Sequence, residues 1–471
     1  MIYVHVPFCR SFCTYCGFYS EVCPRNASQQ VQKRVFGAYA DAVLEEIAER
    51  RCAVSSLPVA VVPEDVGFAD PTLKGPPSYD AEVAKENEQA FICLRPEQQG
   101  FSPPDGTVSG TTTPEGCLAR VVGAESAITP SSAITSENEA CMAPKTTEIN
   151  AKTLYFGGGT PSVLPADVLE RIVMALGPVD YEEFTVEVNP DDIVEKGPEY
   201  VARLVAMGVN RISMGVQSFD DGILRWMNRR HDSAEAREAF CILREGGMRN
   251  ISIDLIFGLS QLSDAQWRES IAEVLALGPE HISAYQLSIE DGSALAKMVA
   301  EGKYAEASDE QCRRQYDIMC EALAKAGYRH YEVSNWAKPG FEAVHNSAYW
   351  RRVSYLGLGP GAHSFDAEAG IRSWNSEELA SYGEDGKLRR WSSSKEILSS
   401  TEAAEERIML ALRTAAGISC TELKKLVAAL GHDTGIIDEL LSEGALACDG
   451  DNIRIPEDHF FVSDGIIARM I

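Results

Sequence analysis

Residues 4–20 read VHVPFCRSFCTYCGFYS, and this stretch decides how the rest of the chain is interpreted. A run of β-branched residues leads into a loop that carries three thiols, Cys9, Cys13 and Cys16. Three cysteines at this spacing can hold one face of a four-iron cluster, and the remaining iron is then free to bind a small chelating molecule. The alternative is a zinc knuckle with Cys23 as its fourth ligand, since structural zinc normally takes four.

The composition is that of a large acidic protein. The chain has 471 residues and a formal net charge of −27 at pH 7, which argues against nucleic acid as the main partner because phosphate binding needs a basic surface. No apolar run of about eighteen residues occurs, so we expect no transmembrane segment. Strand-like sequence begins at Ile2, so we expect no signal or transit peptide. Cluster-binding thiols must stay reduced, which indicates a cytoplasmic location.

Apolar, β-branched runs alternate with helical patterns along most of the chain. The predicted strands are Ile2–Val6, Thr153–Phe156, Phe184–Val188, Arg211–Val216, Ile251–Phe257 and His281–Leu287. The predicted helices are Val35–Arg51, Pro165–Leu176, Tyr200–Met207, Ser233–Gly246, Ser263–Leu277 and Asp309–Gly327. This alternation predicts βαβ units and a parallel sheet. Because every polar, glycine-rich motif follows the carboxyl end of a strand, we predict an α/β fold with a partial (β/α)6 barrel rather than a Rossmann sheet.

Two segments depart from this rhythm. Residues 52–150 are rich in Pro, Ser, Thr, Gly and acidic residues, which predicts a low-complexity, largely disordered insertion after the first barrel unit at 1–51. The barrel then continues over 151–400. Residues 401–471 show three amphipathic helices, over 402–415, 421–430 and 434–443, and a hairpin with Asp449 and Gly450 near its turn, which predicts a small winged-helix-like α+β domain.

The loops after the later strands contain a glycine run and unusual acids. Gly157, Gly158 and Gly159 follow the strand TLYF, where glycines allow the backbone to approach a ligand closely. Glu187 and Asp254 each stand inside an otherwise apolar strand, and buried carboxylates are rare unless they bind something. With Gln217 at the end of a third strand, they predict a pocket for a hydroxyl-rich, zwitterionic ligand.

Two further motifs are the segment that contains Arg229 and His231 and the glycine-rich segment at 357–362. Arg229 suits a planar oxyanion such as a ligand carboxylate, whereas we expect His231 to be a solvated surface residue. The sequence GLGPGA at 357–362 lacks the spacing and the downstream acid of a dinucleotide-binding loop, so it is not interpreted as one.

The order of these motifs resembles one family. YVHVPFCRSFCTYC, YFGGGTPS, EVNP, GVNRISMGVQSF, NISIDLIFGL and HISAYQLSIEDG look like the oxygen-independent coproporphyrinogen III oxidase family of the radical S-adenosylmethionine (SAM) superfamily. YEVSNWAKPG, HNSAYW and YLGLGPGAHSF look like its HemW-type branch, the heme chaperones. The resemblance covers the chain except for residues 52–150.

The resemblance implies a [4Fe-4S] cluster on Cys9, Cys13 and Cys16, together with SAM and heme as cofactors. It implies a SAM site made of Tyr3, Tyr15, Gly158, Gly159, Thr160, Glu187, Gln217, Arg229 and Asp254, with Ser288 and His363 at its margin. His345, Tyr349 and Trp350, in the motif HNSAYW, would contact heme, since a histidine can ligate heme iron and aromatic rings can pack on a porphyrin. An ordinary loop histidine is the alternative for His345.

Two departures bear on function. The decarboxylating oxidases have a fourth cysteine two residues after the third, where this chain has Phe18, as in the chaperone branch. The family's Pro-Gly-Gln is replaced by Ser260-Gln261-Leu262. The resemblance therefore implies a protein that binds heme and delivers it to acceptor proteins. A homodimer is compatible with the resemblance. The alternative is a SAM-dependent oxidoreductase of porphyrin biosynthesis that decarboxylates coproporphyrinogen III, which Phe18 disfavours.

Overall fold

Parallel strands and the helices between them make up the body of the protein. The structure is a computed structural model that describes residues 1–17, 20–22, 29–55, 151–377, 379, 382 and 394–471. Phe18, Cys23 and nearly all of the predicted insertion at 52–150 lie outside the described residues; residues 52–55 complete the first helix.

The main sheet has nine strands within the described part of the chain, namely β1 (Ile2–Val6), β4 (Thr153–Gly158), β5 (Glu183–Val188), β6 (Arg211–Gln217), β7 (Ile251–Phe257), β8 (His281–Gln286), β9 (Arg329–Glu332), β10 (Asn335–Ala337) and β11 (Leu356–Leu358). Their order in the sheet is β11-β1-β4-β5-β6-β7-β8-β10-β9. The six predicted strands are all present and run parallel. β11 pairs parallel with β1, and β10 pairs antiparallel with β8. The predicted α/β partial barrel is confirmed.

Helices connect the parallel strands and cover the outside of the sheet. They are α1 (Gln29–Ser55), α2 (Ala166–Leu176), α3 (Pro190–Ala206), α4 (Asp221–Trp226), α5 (Ser233–Glu245), α6 (Asp264–Leu277), α7 (Ala294–Ala300), α8 (Asp309–Lys325) and α9 (Val344–Trp350). Capping boxes at Asp232 and Ser263 start α5 and α6, because a short polar side chain can accept from the free N–H groups of the first turn.

α3 begins earlier than the prediction of a helix over Tyr200–Met207. Gly197 and Pro198 in the sequence indicate a break, and the backbone does leave helical geometry at Gly197, with φ of 66°. Pro190, however, stands in the first turn, where its missing N–H costs nothing, so a helical segment also precedes the break.

Side chains alternate between the two faces of each strand, which separates the core from the site. On β6, Ile212, Met214 and Val216 point outward and are fully buried under the helices. Arg211 and Ser213 on the same strand line a cavity inside the barrel. This alternation is the period of two expected for a strand, and it makes the inside of the barrel polar while the outside is the hydrophobic core.

The last part of the chain carries two small sheets. β12 (His363–Asp366), β13 (Ile371–Trp374) and β14 (Ser394–Ile397) form an antiparallel sheet. The C-terminal module, residues 400–471, contains α10 (Ser400–Leu412), α11 (Cys420–Ala429), α12 (Gly435–Ser442) and α13 (Ser463–Ile467), with the short strands β15 (Ile418–Ser419), β16 (Ala447–Asp449) and β17 (Asn452–Arg454). Two further short strands, β2 (Phe8–Cys9) and β3 (Glu21–Val22), pair beside the cysteine loop.

The C-terminal module packs on the barrel through an aromatic contact. The ring of Phe460, which is 1% exposed, meets the ring of His330 edge-on at a centroid distance of 4.9 Å. None of the helices among the described residues combines the length and hydropathy needed to cross a bilayer.

Candidate cofactor-binding site

A cavity of about 550 Å³ opens at the carboxyl ends of the parallel strands. Its wall combines the loop after β1 with the ends of β4 to β8, as the barrel geometry requires. Twelve of the residues predicted from the sequence line it: Cys9, Cys13, Tyr15, Cys16, Gly158, Gly159, Thr160, Glu187, Gln217, Arg229, Asp254 and Ser288. The folding of the chain therefore gathers residues that lie as far apart in sequence as Cys9 and Ser288.

The three cysteines stand on one side of this cavity. Cys9 Sγ lies 3.4 Å from Thr160 Oγ1, and Arg229 Nη1 donates to Cys13 Sγ at 3.3 Å. Within the described residues, no three His, Cys, Asp or Glu side chains are arranged to hold a single metal ion. In an iron–sulfur cluster each cysteine binds a different iron, so the thiols need not converge on one point. Three thiols along one wall fit a cluster with one iron facing the cavity.

The glycine loop after β4 is seated directly against the cysteine loop. The Gly159 N–H donates to the Val6 carbonyl at 2.8 Å, and the Thr160 N–H donates to the Phe8 carbonyl at 2.7 Å. A Cβ at Gly159 would lie 2.7 Å from the Phe8 oxygen, which leaves no room for a side chain. The two loops thus form one backbone-paired unit at the edge of the cavity.

Two strand carboxylates face the cavity from deep inside the barrel. Glu187 accepts from the Tyr155 hydroxyl at 2.8 Å and from the Gly158 N–H at 3.2 Å, while burial raises the pKa of its carboxyl to about 7. Asp254 accepts from the hydroxyls of Ser213 and Ser252 at 3.0 Å and 3.2 Å, and burial raises its pKa as well. Each carboxylate still has capacity for a hydroxyl or ammonium donor of a ligand.

Arg229 extends its guanidinium along the cavity beside the cysteines. Its Nη2 donates to Asn189 Oδ1 at 2.5 Å and to the Gly215 carbonyl at 2.6 Å. Its Nε is buried and has no hydrogen-bond partner within the described residues. Nearby Gln217, at the irregular end of β6, has a positive φ of 70°, and such strain in a non-glycine residue often marks a functional position.

Five of the predicted cofactor residues lie elsewhere. Tyr3, Tyr349 and His363 line a second cavity of about 400 Å³. His345 is 1% exposed; its Nδ1 lies 2.8 Å from Thr153 Oγ1 and its Nε2 lies 3.0 Å from the Tyr349 hydroxyl. Trp350 ends α9, and it lines neither of these two cavities. The roles assigned to these residues by the resemblance stay predictions.

The prediction that His231 is a surface residue is wrong. Its side chain is buried, Nε2 lies 3.0 Å from the Val216 carbonyl, and burial lowers the pKa of the imidazole to about 3. The substituted segment Ser260-Gln261-Leu262 stands apart from the cavity lining: the Ser260 N–H donates to the Tyr304 hydroxyl, and Leu262 is buried in the core.

Sequence reasoning missed several cavity residues, of which Arg211 is the most informative. It is 1% exposed, lines the deep end of the cavity, and its Nε has no hydrogen-bond partner among the described residues. The carboxylates of Glu183 and Asp254 raise its pKa against the effect of burial. Ser213, Ser283 and Tyr285 were missed as well. The available signal was the polar side chains at alternate positions, namely Arg211, Ser213 and Gln217 in RISMGVQ and His281, Ser283 and Tyr285 in HISAYQ.

A partial barrel with three cysteines on its first loop and a polar cavity at the carboxyl ends of its strands defines a protein of the radical SAM class. Residues 139–274 match the radical SAM superfamily. The structure is similar to coproporphyrinogen III oxidase from Escherichia coli, described as a radical SAM enzyme, with a TM-score of 0.64 at 18% identity over 99% of this chain and 88% of that one. At this identity the likeness shows the fold alone.

Curated relatives identify the branch. The chain is 32% identical to the heme chaperone HemW of Lactococcus lactis, over 68% of this chain and 84% of that protein. It is 35% identical to HemW of Bacillus subtilis, over 58% of this chain and 73% of that protein. The chain therefore belongs to the HemW family, and the resemblance inferred from its motifs is confirmed.

Proposed function

We propose that this protein binds heme and delivers it to acceptor proteins, using a [4Fe-4S] cluster and SAM as cofactors in the reducing cytoplasm. The observation that carries the proposal is the cavity in which three thiols, the guanidinium of Arg229 and two strand carboxylates face the same space. The heme part is supported by the curated relatives, which are named heme chaperones.

The described residues supply distinct interactions for each cofactor. Cys9, Cys13 and Cys16 would ligate the cluster, whose remaining iron would be open to chelation by the amino and carboxylate groups of SAM. The buried Nε of Arg229 could then pair with the SAM carboxylate. Glu187, whose pKa is about 7, would be drawn into its charged form by an ammonium group nearby.

The cluster is tested by its iron and sulfide content after anaerobic reconstitution. We expect roughly four irons per chain, with visible absorption that disappears in a Cys9/Cys13/Cys16 triple alanine variant. Cys448→Ser is the matched control, because this thiol is exposed on β16 in the C-terminal module. A colourless wild-type protein that binds zinc would instead support the zinc-knuckle alternative.

Heme delivery is tested with heme-loaded protein and a heme-free acceptor such as apomyoglobin. We expect a Soret shift on loading and transfer of the heme on mixing, both without consumption of SAM. Wild-type protein that gives no Soret shift would contradict the proposal.

The alternative activity needs its own assay. Anaerobically reconstituted protein is incubated with coproporphyrinogen III, SAM and a reductant, and protoporphyrinogen IX is measured. We expect none. Its formation would show that the protein is the decarboxylating oxidase, the function that Phe18 disfavours.

A further inference from the structure

The second cavity has a lining that differs from the first. Its volume is about 400 Å³, near the lower end of the roughly 300 to 1,000 Å³ typical of small-molecule sites. Three tyrosines and two histidines line it, namely Tyr3, Tyr349, Tyr355, His5 and His363. We call this the aromatic cavity. Such a lining suits a flat, conjugated ligand, because aromatic rings pack on each other with favourable geometry.

The aromatic cavity adjoins the cysteine loop. Gly17, the residue after Cys16, lines both this cavity and the cavity that contains the three thiols. The two cavities are nevertheless built from different residues, since Tyr3, Tyr349 and His363 do not line the thiol cavity. A ligand in the aromatic cavity would therefore lie beside the cluster loop without displacing SAM.

All eight histidines of the chain lie within the described residues, so each can be considered as an iron ligand. Five are buried: His5, His231, His281, His330 and His345. Each of the five has a ring nitrogen within hydrogen-bond distance of another protein atom. His432 and His459 belong to the C-terminal module and line neither of the two cavities.

His363 alone among these histidines combines exposure with a place at a cavity wall. It begins β12, pairs across the sheet with Trp374, and its ring is stacked on that indole at a centroid distance of 5.6 Å and an interplanar angle of 18°. Burial by its neighbours and the charge of Arg372 lower the pKa of the imidazole. At neutral pH the ring is therefore uncharged and keeps a lone pair for a metal.

The tyrosines are suited to packing on a ligand and not to binding iron. Burial raises the pKa of Tyr3, Tyr349 and Tyr355, so their phenols stay protonated at neutral pH. Iron ligation by tyrosine in heme proteins uses the oxygen of the side chain as an anionic donor. The aromatic cavity thus offers three neutral phenol rings and the neutral imidazole of His363; its other lining residues are His5, Gly17, Gly361 and Glu377.

We propose that heme binds in the aromatic cavity with His363 as the axial ligand of its iron. The inference rests on the proposed function, and it names a different ligand from the His345 that the family resemblance implies. His345 lines neither of the two cavities, and its Nε2 lies 3.0 Å from the Tyr349 hydroxyl. It is a positioning residue that holds the Tyr349 ring at the wall. With His363 at the exposed rim, one edge of the heme remains accessible to an acceptor protein.

The test compares single alanine variants of the full chain loaded with ferric heme. We expect His363→Ala to change the position of the Soret band and to weaken heme binding by about tenfold or more, since even the loss of a residue that supports a metal ligand costs roughly 10- to 100-fold. His345→Ala should keep the wild-type Soret position. His432→Ala, an exposed histidine in the C-terminal module, is the matched control.

Two further measurements separate ligation from misfolding. Added imidazole should restore the wild-type spectrum of His363→Ala, which a damaged fold would not allow, and the cluster content of this variant should be unchanged. A wild-type spectrum in His363→Ala, or a shifted Soret band in His345→Ala alone, would overturn the assignment of the ligand. Wild-type protein that binds no heme would overturn the proposed function itself.

Discussion

Glu187 accepts two hydrogen bonds, from Tyr155 and from the Gly158 N–H, and both lower the pKa of its carboxyl. Burial has the larger effect, and the repulsion from Asp254 adds to it, so that the pKa rises to about 7. In an unfolded chain the pKa of a glutamate is about 4.3. Between these two pH values the folded protein holds a proton that the unfolded chain has released.

The sign of the resulting pH dependence follows from this difference. Protonated Glu187 favours the folded state below about pH 4.3, and this contribution, roughly 4 kcal/mol in full, is lost as the pH rises through about 7. We expect Glu187→Gln to flatten the fall in the free energy of unfolding between pH 5 and 7, measured by chemical denaturation. Glu332, whose pKa is also raised to about 7, leaves part of the slope in place.

The matched control is Glu199→Gln on the exposed side of α3. It should reproduce the wild-type dependence of stability on pH. A Glu187→Gln variant with the same slope as wild type would show that this carboxyl is ionised throughout the range.

Two loops form the element that holds the three cysteines in place. The glycine loop after β4 donates from Gly159 to Val6 and from Thr160 to Phe8, so it fixes the backbone on the N-terminal side of Cys9. The close approach is possible because Gly159 has no side chain: a Cβ would lie 2.8 Å from the Val6 oxygen. The three cysteines are thus positioned by residues about 150 positions away in sequence.

Substitution of Gly159 by alanine should disturb this pairing. We expect Gly159→Ala to lower the free energy of unfolding by about 1 to 3 kcal/mol, as overpacking usually does, and to lower the iron content after reconstitution. Gly37→Ala is the control, because no atom lies within 4 Å of the added Cβ and alanine favours a helix by up to about 1 kcal/mol over glycine. Equal iron contents in the two variants would count against a role for the loop pairing.

Whether a strand could be predicted from the sequence depends on the length of its β-branched, apolar run. The six long strands were recognisable because β-branched runs alternate with helical patterns. β11 was not, because Leu356–Leu358 is three residues long and its partner β1 stands at the other end of the chain. Local periodicity in the sequence does not predict the order of parallel strands in a sheet, so only the structure shows that β11 extends the sheet beyond β1.

The residues of the candidate site could be predicted from the sequence where they stand near the carboxyl ends of parallel strands. Glu187, Gln217 and Asp254 had to meet, because the carboxyl ends of parallel strands lie at the same end of a barrel. Tyr3 and His363 were assigned to the SAM pocket by resemblance alone; both line the aromatic cavity, and their roles stay predictions. Arg211 was missed because it begins its strand, although it reaches the same cavity.

At the scale of the whole molecule, the C-terminal module and the barrel share a hydrophobic contact. Phe460 packs on His330, and Phe461 packs on Tyr316 at a centroid distance of 5.4 Å. Backbone hydrogen bonds join the two parts as well: the Val333 N–H donates to the Arg413 carbonyl and the Ala415 N–H donates to the Tyr331 carbonyl, both at 3.0 Å. We expect the buried aromatic contact to add to this attachment.

Truncation of Phe460 tests this attachment. We expect Phe460→Ala to lower the free energy of unfolding by about 3 to 5 kcal/mol, the usual cost of emptying a buried aromatic site. Val462→Ala, at a position that is 44% exposed, should change it by less than about 0.5 kcal/mol. Calorimetry that shows a separate low-temperature transition for the module in both variants and wild type would indicate that the contact does not couple the two parts.

Gly17 is the place where the thiol cavity and the aromatic cavity meet, and it is packed so closely on Glu290 that a Cβ there would lie 2.6 Å from the Glu290 Cβ. If SAM and heme bind on either side of Gly17 and interact through it, their binding equilibria are linked. If SAM changes the affinity for heme by some factor, heme must change the affinity for SAM by the same factor. Loss of heme to an acceptor would then change the dissociation constant of SAM, and Gly17 would be the residue through which the two sites communicate.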